Sequence, residues 1–443
     1  MTAGKTISVK PVITLYRSVW PVLLILWLCL LVAPDIYAKD STAGSLLRAD
    51  LKPALDYSRQ HNGAAVLIMK EGKILLEDYQ NGRKVDDANY LASGTKSFWG
   101  PVIAAMIEDG LVSSFDERVA DTITEWKNDR NKSRITVRHL LNLSSGLREN
   151  MRELGGEKGK AENRYEFAIT LSTVSPPGSN FRYGPAHFAT LGAFMKRKLA
   201  PKKLSPLDYL KQRILDPIGV EFTKWKHDRS GNPHLPNGAY MTARNWANYG
   251  RFIGQLGRWD NKQIIRQDLI EECLRGSNAN SGYGLTFWLN EPGGRGFLKS
   301  QRPPAGAKAG FIYPWGYSEI AGALGAGKTR MYIFPEQDLV VVRQAIGPRD
   351  RYIDSEFLHL VLTDRAQSEV SATEATSVPA SDTAQPAASS FKRLDRNSDN
   401  YLSRDEIPDE RSGLQNNFDR LDRNNDGKLS LDEFSLISRH MSR

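Results

Sequence analysis

Ser93 and Lys96 stand three residues apart in Asn89–Gly100, which reads NYLASGTKSFWG. If Ser93 opens a helix, Lys96 falls one turn later on the same face, and its amine reaches the hydroxyl. A lysine that is desolvated, and so partly neutral, can take the serine proton and leave a nucleophile. The chemistry this implies is acyl transfer: attack on an ester or amide carbonyl, a covalent acyl-enzyme, and its release by water. Spacing alone does not make the case. Chance supplies roughly two S-x-x-K matches in a chain of this length. The chain has two, the other being Ser389–Lys392 in low-complexity sequence. The surroundings of Ser93 therefore decide.

A second set of chemistry-bearing residues forms an internal repeat near the C-terminus. Phe391–Glu406 reads FKRLDRNSDNYLSRDE, and Phe418–Glu433 reads FDRLDRNNDGKLSLDE. Each contains a twelve-residue loop with the spacing of an EF-hand. In the first, Asp395, Asn397, Asp399, Tyr401 through its carbonyl, Ser403 and Glu406 fall on the ligand positions. In the second they are Asp422, Asn424, Asp426, Lys428 through its carbonyl, Ser430 and Glu433. Calcium takes six or more oxygen ligands, and a terminal bidentate Glu supplies two. Gly427 provides the sharp turn at the sixth position, where the first loop has Asn400. The expected cofactor is Ca²⁺, in a structural or docking role. No cofactor is expected for the hydrolytic chemistry.

The elements that must position Ser93 begin upstream. Gly63–Gln80 reads as two β-rich runs around Glu71-Gly72, a hairpin with a two-residue turn. After Ser93, FWGPVIAAMIEDG has a helical pattern closed by Gly110, with Pro101 expected to kink it near the first turn. Gly110–Leu147 reads as mostly helical with turn punctuation. Thr242 is placed to cap an amphipathic helix in GAYMTARNWANYGRFIGQLG. Ser281–Asn290, SGYGLTFWLN, alternates like a strand.

The chain has 443 residues and a formal charge of +9. That length suggests two or three domains. Its basic residues are mixed with acids rather than gathered, which excludes a nucleic-acid partner from the expected set. Met1–Ala38 combines a basic start, the apolar run VWPVLLILWLCLLVA and a small-residue site at Ala38. It reads as a signal peptide, residues 1–38, for a periplasmic or secreted protein. A membrane association follows only if the segment is uncleaved. Cys29 lies in that run, so Cys273 is left alone in the remainder, as an inert helix residue. Residues 366–390 are rich in Ala, Ser, Thr and Pro and read as a flexible linker. The expected organisation is therefore 1–38 signal peptide, 39–365 hydrolase domain, 366–390 linker and 391–443 EF-hand pair.

Downstream of Ser93 the chain resembles the serine β-lactamase and penicillin-binding-protein superfamily, in its class C β-lactamase and esterase branch. The likeness rests on Asp109-Gly110-Leu111, on Asp116 to Val119, and on Ile135-Thr136, Leu140-Leu141 and Ser145-Gly146-Leu147 in order. It spans about 51–346. It implies an α/β (α+β) fold: an antiparallel sheet flanked by helices, with an intervening helical lobe. It also implies a tyrosine in that lobe, and Tyr183 in NFRYGPAHFATLG fits, passing the proton to the leaving group. The family's commonest form is Tyr-x-Asn, and here Pro185 stands at the third position. His187, four residues past Tyr183, could face the cleft, although a core or surface position is the plainer reading.

Gly322–Thr329, GALGAGKT, matches the P-loop pattern letter for letter. A P-loop must lead into a helix, whereas RMYIFP and LVVVRQ follow, which read as two strands. The resemblance puts the third motif of the family here, with the N–H of Ala323 or Leu324 joining that of Ser93 in an oxyanion hole. The usual Lys-Thr-Gly or His-Thr-Gly is absent, and Lys308-Ala309-Gly310 is a weaker substitute. With both β-lactam recognition features altered, the expected substrate is a small-molecule ester or small amide. A β-lactamase or D,D-peptidase is the first alternative. The second is a non-catalytic protein that binds a protein partner through its calcium module.

Overall fold

The computed structural model describes residues 1, 46–156, 158–291, 312–314, 319–347 and 351–363. In the C-terminal part it describes 391, 394, 395, 397, 399, 401–407, 418, 422, 427–430 and 434. Residues 2–38 of the expected signal segment, the linker 366–390, Lys308-Ala309-Gly310, Asn424, Asp426 and Glu433 lie outside these residues. The chain divides into two compact units, Met1–Ala372 and Thr373–Arg443.

In the first unit, α1 (Lys52–Gln60) leads into β1 (Gly63–Lys70) and β2 (Lys73–Tyr79). The turn residues Glu71 and Gly72 both have positive φ, 51° and 73°, as a two-residue hairpin turn of this hand requires. The chain then passes through β3 (Asn89–Tyr90) and a tight 3₁₀ segment, Ala92–Phe98, into α2 (Trp99–Glu108). Pro101 is buried in the first turn of α2, where its missing N–H has no intrahelical acceptor to lose. The change of helix type falls at Phe98–Trp99, two residues before it.

The helical lobe contains α3 (Val137–Leu141), α4 (Met151–Leu154), α5 (Arg164–Thr170), α6 (Ala186–Leu199) and α7 (Pro206–Leu210). The helical expectation for 110–147 needs correction. Apart from α3, the stretch is built of 3₁₀ turns at Val119–Asp121, Thr124–Trp126 and Lys132–Arg134. Its acidic side chains take the backbone donors a helix would need. Asp129 Oδ1 accepts from the N–H of Asn131 and Lys132, and Glu117 accepts from that of Ser113.

The chain returns through β4 (Lys224–Trp225), β5 (Ala239–Met241), α8 (Ala243–Gly254), the short pair β6 (Arg258–Trp259) and β7 (Lys262–Gln263), and α9 (Gln267–Cys273). Thr242 caps α8, its side chain accepting from the Asn245 N–H. Cys273 is buried at the end of α9, and burial pushes its thiol well up. The remaining elements are β8 (Trp288–Leu289), β9 (Ala321–Leu324), β10 (Arg330–Phe334), β11 (Leu339–Ala345) and α10 (Asp354–Val361). The strand expected over 281–290 shrinks to Trp288–Leu289, because Thr286 at φ 87° breaks the extended run.

Six strands form one antiparallel sheet in the order β2-β1-β11-β10-β9-β8. Strand alternation assigns its two faces. A Cβ on Gly250 or Gly254 of α8 would meet Met331 or Ile333. Arg330 and Tyr332 on the opposite face bond Asp354 of α10. A smaller sheet, β3-β5-β4, carries the approach to Ser93. Gln344 of β11 joins the two sheets, accepting from Asn89 at 2.9 Å and donating to the Met241 carbonyl at 3.0 Å.

In the second unit, β12 (Tyr401–Leu402) pairs antiparallel with β13 (Leu429–Ser430). Phe391, Leu394, Leu402, Ile407, Phe418, Leu429 and Phe434 form its apolar cluster.

Candidate active site

The local sequence presents Ser93 on a constrained turn. Leu91 is fully buried, Ala92 adopts φ 47°, and Ser93 follows, half-buried. Residues three apart eclipse in a 3₁₀ segment, which brings Lys96 under Ser93 more directly than an α-helical turn would. Lys96 Nζ lies 3.1 Å from Ser93 Oγ and donates to the Pro236 carbonyl at 2.9 Å. The lysine is 4% exposed. Among the described residues no carboxylate pairs with it. Its neighbours are two aromatic faces, with ring centroids at 4.9 Å for Tyr183 and 5.4 Å for Phe188.

The turn is fixed from beneath. Thr95 Oγ1 accepts from the Ala239 N–H, Trp99 Nε1 donates to the Leu235 carbonyl at 2.6 Å, and Tyr249 donates to the Ser97 carbonyl. Gly94 passes so close to Trp246 that a Cβ would lie 2.9 Å from the indole.

Tyr183 comes from the Gly184-Pro185 turn before α6, and is 37% exposed. Lys96 meets the face of its ring, and its hydroxyl has no hydrogen-bond partner among the described residues. The ring stacks on Trp288 of β8 at 5.7 Å and 25°. Phe181 and Tyr283 complete an aromatic wall with Trp288. Tyr283 and Trp288 are thus core residues whose cluster carries Tyr183.

Ala323 and Leu324 are separated by ladder alternation. The Gly325 N–H donates to the Thr329 carbonyl at 2.8 Å. Hydrogen-bonded pairs recur every second residue in an antiparallel ladder. Ala323, opposite Met331, therefore spends its N–H on β10, and Leu324, opposite Arg330, does not. Toward β8, pairing runs through Leu289↔Ala321 and Trp288↔Gly322 and goes no further. The Leu324 N–H thus points off the sheet edge beyond β8. Gly325 next to it approaches the Leu91 carbonyl so closely that a Cβ would sit 2.2 Å from that oxygen. The GALGAGKT segment continues into a strand, β10, as its following sequence requires.

Two buried guanidinium groups hold this edge. Arg330 donates to the Gly325 and Thr329 carbonyls, and its Nε bonds Asp354 at 2.5 Å. Arg343 donates to the Lys328 carbonyl at 2.8 Å. Burial alone would raise the Asp354 carboxyl, but Arg330 and the Tyr332 hydroxyl outweigh it and hold it below its ordinary value.

A second serine meets a histidine, with a carboxylate at ion-pair distance but not hydrogen-bonded to it, a cluster that sequence reasoning missed. Ser145 Oγ lies 2.8 Å from His187 Nδ1, and His187 Nε2 lies 3.1 Å from Glu149 Oε1. His187 Nε2 also donates to the Arg182 carbonyl at 2.8 Å, so Nδ1 accepts from the Ser145 hydroxyl. Ser145 and His187 are both 0% exposed. An acyl group has no access there, and the cluster instead anchors the segment that carries Tyr183. The signal was in the sequence, as Ser145-Gly146-Leu147 and a histidine four residues past Tyr183. Pro236, which contributes a backbone carbonyl, carried no such signal. A cavity of about 690 Å³ lined by Arg275, Asn278 and Glu319 includes none of these groups.

In the second unit, the first loop is folded on its own side chains. The Asp399 N–H donates to Asp395 and Asn397, the Tyr401 N–H to Asp399, and Glu406 accepts from Asn397 and Ser403. Lys428 Nζ lies 3.1 Å from Asp399 Oδ2. Gly427 has φ 81°, and its N–H donates to Asp422. The donors are all oxygens on a turning loop, which fits a hard cation. Among the described residues, however, no three acidic, His or Cys side chains converge closely enough to hold one.

A family model described as Beta-lactamase matches residues 45–349, and an EF-hand model matches 417–438. The 6-aminohexanoate-dimer hydrolase of Paenarthrobacter ureafaciens is 24% identical over 237 residues, 49% of this chain and 58% of that protein. The match thus spans little more than half of the relative's length. Among solved structures, a candidate 6-aminohexanoate-dimer hydrolase from Bacillus anthracis superposes with a TM-score of 0.54 at 19% identity, covering 74% of this chain and 83% of that one. A penicillin-binding protein homologue from Caulobacter crescentus gives 0.53 at 15% identity, covering 75% and 98%. These likenesses bear on the fold, an antiparallel sheet with covering helices.

Proposed function

The chain belongs to the β-lactamase family, and from that premise we propose that its first unit is a serine hydrolase acting on small amides or esters through an acyl-enzyme on Ser93. The observation that carries the reading is the buried Lys96 amine, 3.1 Å from Ser93 Oγ and steered by the Pro236 carbonyl. Lys96 takes the hydroxyl proton as Ser93 attacks the carbonyl carbon. The tetrahedral oxygen is held by the N–H groups of Ser93 and Leu324. Collapse expels the amine or alcohol, which receives a proton from the Lys96–Tyr183 pair. Water then attacks the ester, with Lys96 again as base, and regenerates Ser93.

Amide or ester substrates are favoured over β-lactams by Pro185 in place of the usual Asn and by the missing Lys-Thr-Gly. The relative that hydrolyses 6-aminohexanoate dimer, a linear amide, supports the same direction. A periplasmic or secreted location follows from the N-terminal segment. Calcium would be held by Asp395, Asn397, Asp399, the Tyr401 carbonyl, Ser403 and Glu406, and by their counterparts in the second loop. The ion would order that unit and would supply no chemistry at Ser93. A protein partner of this unit remains the alternative use.

The test is intact-mass analysis after brief exposure to a short-chain aryl ester, beside Ser93→Ala. A transient acyl adduct on the parent, absent from Ser93→Ala, is the expected result. Failure of the parent to acylate with this ester, a small amide and penicillin alike would exclude the reading. Stable acylation by penicillin would instead favour a β-lactamase or D,D-peptidase.

A further inference from the structure

Between α3 and the chain beyond α9 lies a cavity of about 280 Å³ that shares no residue with the Ser93 site. His139, Asn142 and Gly178 line it from the helical lobe, and Arg275, Asn278 and Ala279 line it from the chain after α9. Asn142 is 4% exposed. Its Oδ1 accepts from Ser144 Oγ at 2.6 Å, whereas its amide nitrogen makes no hydrogen bond among the described residues. That nitrogen is not sealed in the core: it keeps accessible surface, and Asn142 lines the cavity. A buried amide held at its oxygen and open at its nitrogen is an oriented donor.

His139 adds a second donor. Its Nδ1 accepts from the Thr136 N–H at 3.1 Å, as part of the cap of α3. Burial, the largest influence on the ring, holds its pKa below the ordinary value. The ring is therefore neutral at pH 7, and its proton sits on Nε2. Nε2 has no partner among the described residues, and it too keeps accessible surface. A Cβ on Gly178 would lie 3.0 Å from Nε2, so the glycine leaves the space before that nitrogen open.

On the other wall, Arg275 gives one nitrogen to Glu272 at 2.8 Å, and the rest of its fork has no partner among the described residues. The same holds for the backbone N–H groups of Asn278 and Ala279, inside the turn closed by Ser277 and Asn280. Glu272 is the one carboxylate among the lining residues, and Arg138 and Arg275 both pair with it. Arg138 is itself held by Asp116. The groups left over are donors.

We infer that this cavity binds an oxyanion, the carboxylate or phosphate group of a small molecule, at a site separate from Ser93. An oxyanion brings acceptors only, and it matches a carboxamide N–H, a neutral imidazole N–H and an open guanidinium fork. A cationic ligand would meet Arg275 and a carboxylate already paired twice. The inference does not rest on the acyl-enzyme reading, since no group of that site lines the cavity.

The test is calorimetric titration of the full-length protein, without added calcium, with inorganic phosphate, with succinate and with neutral succinamide. Phosphate or succinate should bind saturably and at least about tenfold more tightly than succinamide. The tighter of the two identifies the group as a phosphate or a carboxylate. Asn142→Asp keeps the side chain's size and the acceptor for Ser144, and replaces the donor with a negative charge. It should weaken oxyanion binding at least about tenfold. Arg275→Met, at a side chain 72% exposed, should weaken it about threefold and carries the test if Asn142→Asp folds poorly. Ser93→Ala should bind as the parent does. Absence of oxyanion binding overturns the inference, as does succinamide binding equally well. So does an affinity that neither cavity variant changes, or loss of binding in Ser93→Ala, which would place the anion in the catalytic cleft.

Discussion

Ser93 lies within hydrogen-bond reach of a lysine and Ser145 of a histidine, and their surroundings give the two serines opposite fates. Ser93 is half-buried on a turn with a positive-φ residue before it and an unpaired strand edge, Leu324, beside it. Ser145 has the more familiar base, His187, with Glu149 at ion-pair distance behind it, yet it is sealed and already accepts from the Leu147 N–H at 3.3 Å. The contrast teaches that a nucleophile is defined by access and by donors waiting for the developing oxyanion, more than by which base touches it. In the buried cluster the same hydrogen bonds serve to hold the Tyr183 segment in place.

The strongest way to break that contrast is at the nucleophiles themselves. Ser93→Ala should lower ester turnover at least about a thousandfold and abolish the acyl adduct, while Ser145→Ala keeps the adduct. An adduct that survives Ser93→Ala and is lost in Ser145→Ala would reverse the two assignments.

The next largest effect is expected behind the strand edge. Asp354→Asn leaves the buried Arg330 unpaired and should cost about 3–5 kcal/mol of stability, measured by urea unfolding. The pH dependence has a definite sign. The Asp354 carboxyl is held below its ordinary 3.8. Its contribution is therefore present above that value and fades as pH falls through the lower folded value. The parent should show this acid loss and Asp354→Asn should not.

Gly325→Ala puts a methyl 2.2 Å from the Leu91 carbonyl. The strand end must move, and turnover should drop about a hundredfold with little change in KM for a small ester. An unchanged kcat would show that the edge contributes no donor to the reaction.

Ser145→Ala should cost about 1–3 kcal/mol by leaving His187 Nδ1 unpaired, read as a lower Tm, with kcat affected only through Tyr183. The smallest effect on turnover is expected from chelation of calcium. It should lower the thermal stability of the Thr373–Arg443 unit and leave the Ser93 acylation rate where it was.

Much of this was legible in the chain. Alternating and continuous apolar runs specify the hairpin, β10 and β11, because strand pairing there buries GAAVLIMK between two neighbours. Thr242 as a cap and the strand after GALGAGKT were equally plain, since caps and strand continuation are local properties. The stretch 110–147 was not, because its short acidic and polar side chains compete for backbone donors one turn at a time, and periodicity is blind to that. The same limit applies to 281–290, where one positive-φ threonine interrupts an otherwise strand-like alternation.

The sequence by itself determined the Ser93–Lys96 pair, the order of the motifs and the oxygen-rich loops of the tail, because each depends on spacing within one segment. Only the tertiary structure decided which of Ala323 and Leu324 has its N–H to spare, that Pro236 steers the lysine, that Ser145 is sealed, and that Asn142 and His139 share a cavity with the chain beyond α9. Those facts depend on burial and on distances between segments far apart in the chain. Such distances are set when the sheets and the helical lobe pack together, and no local pattern encodes them.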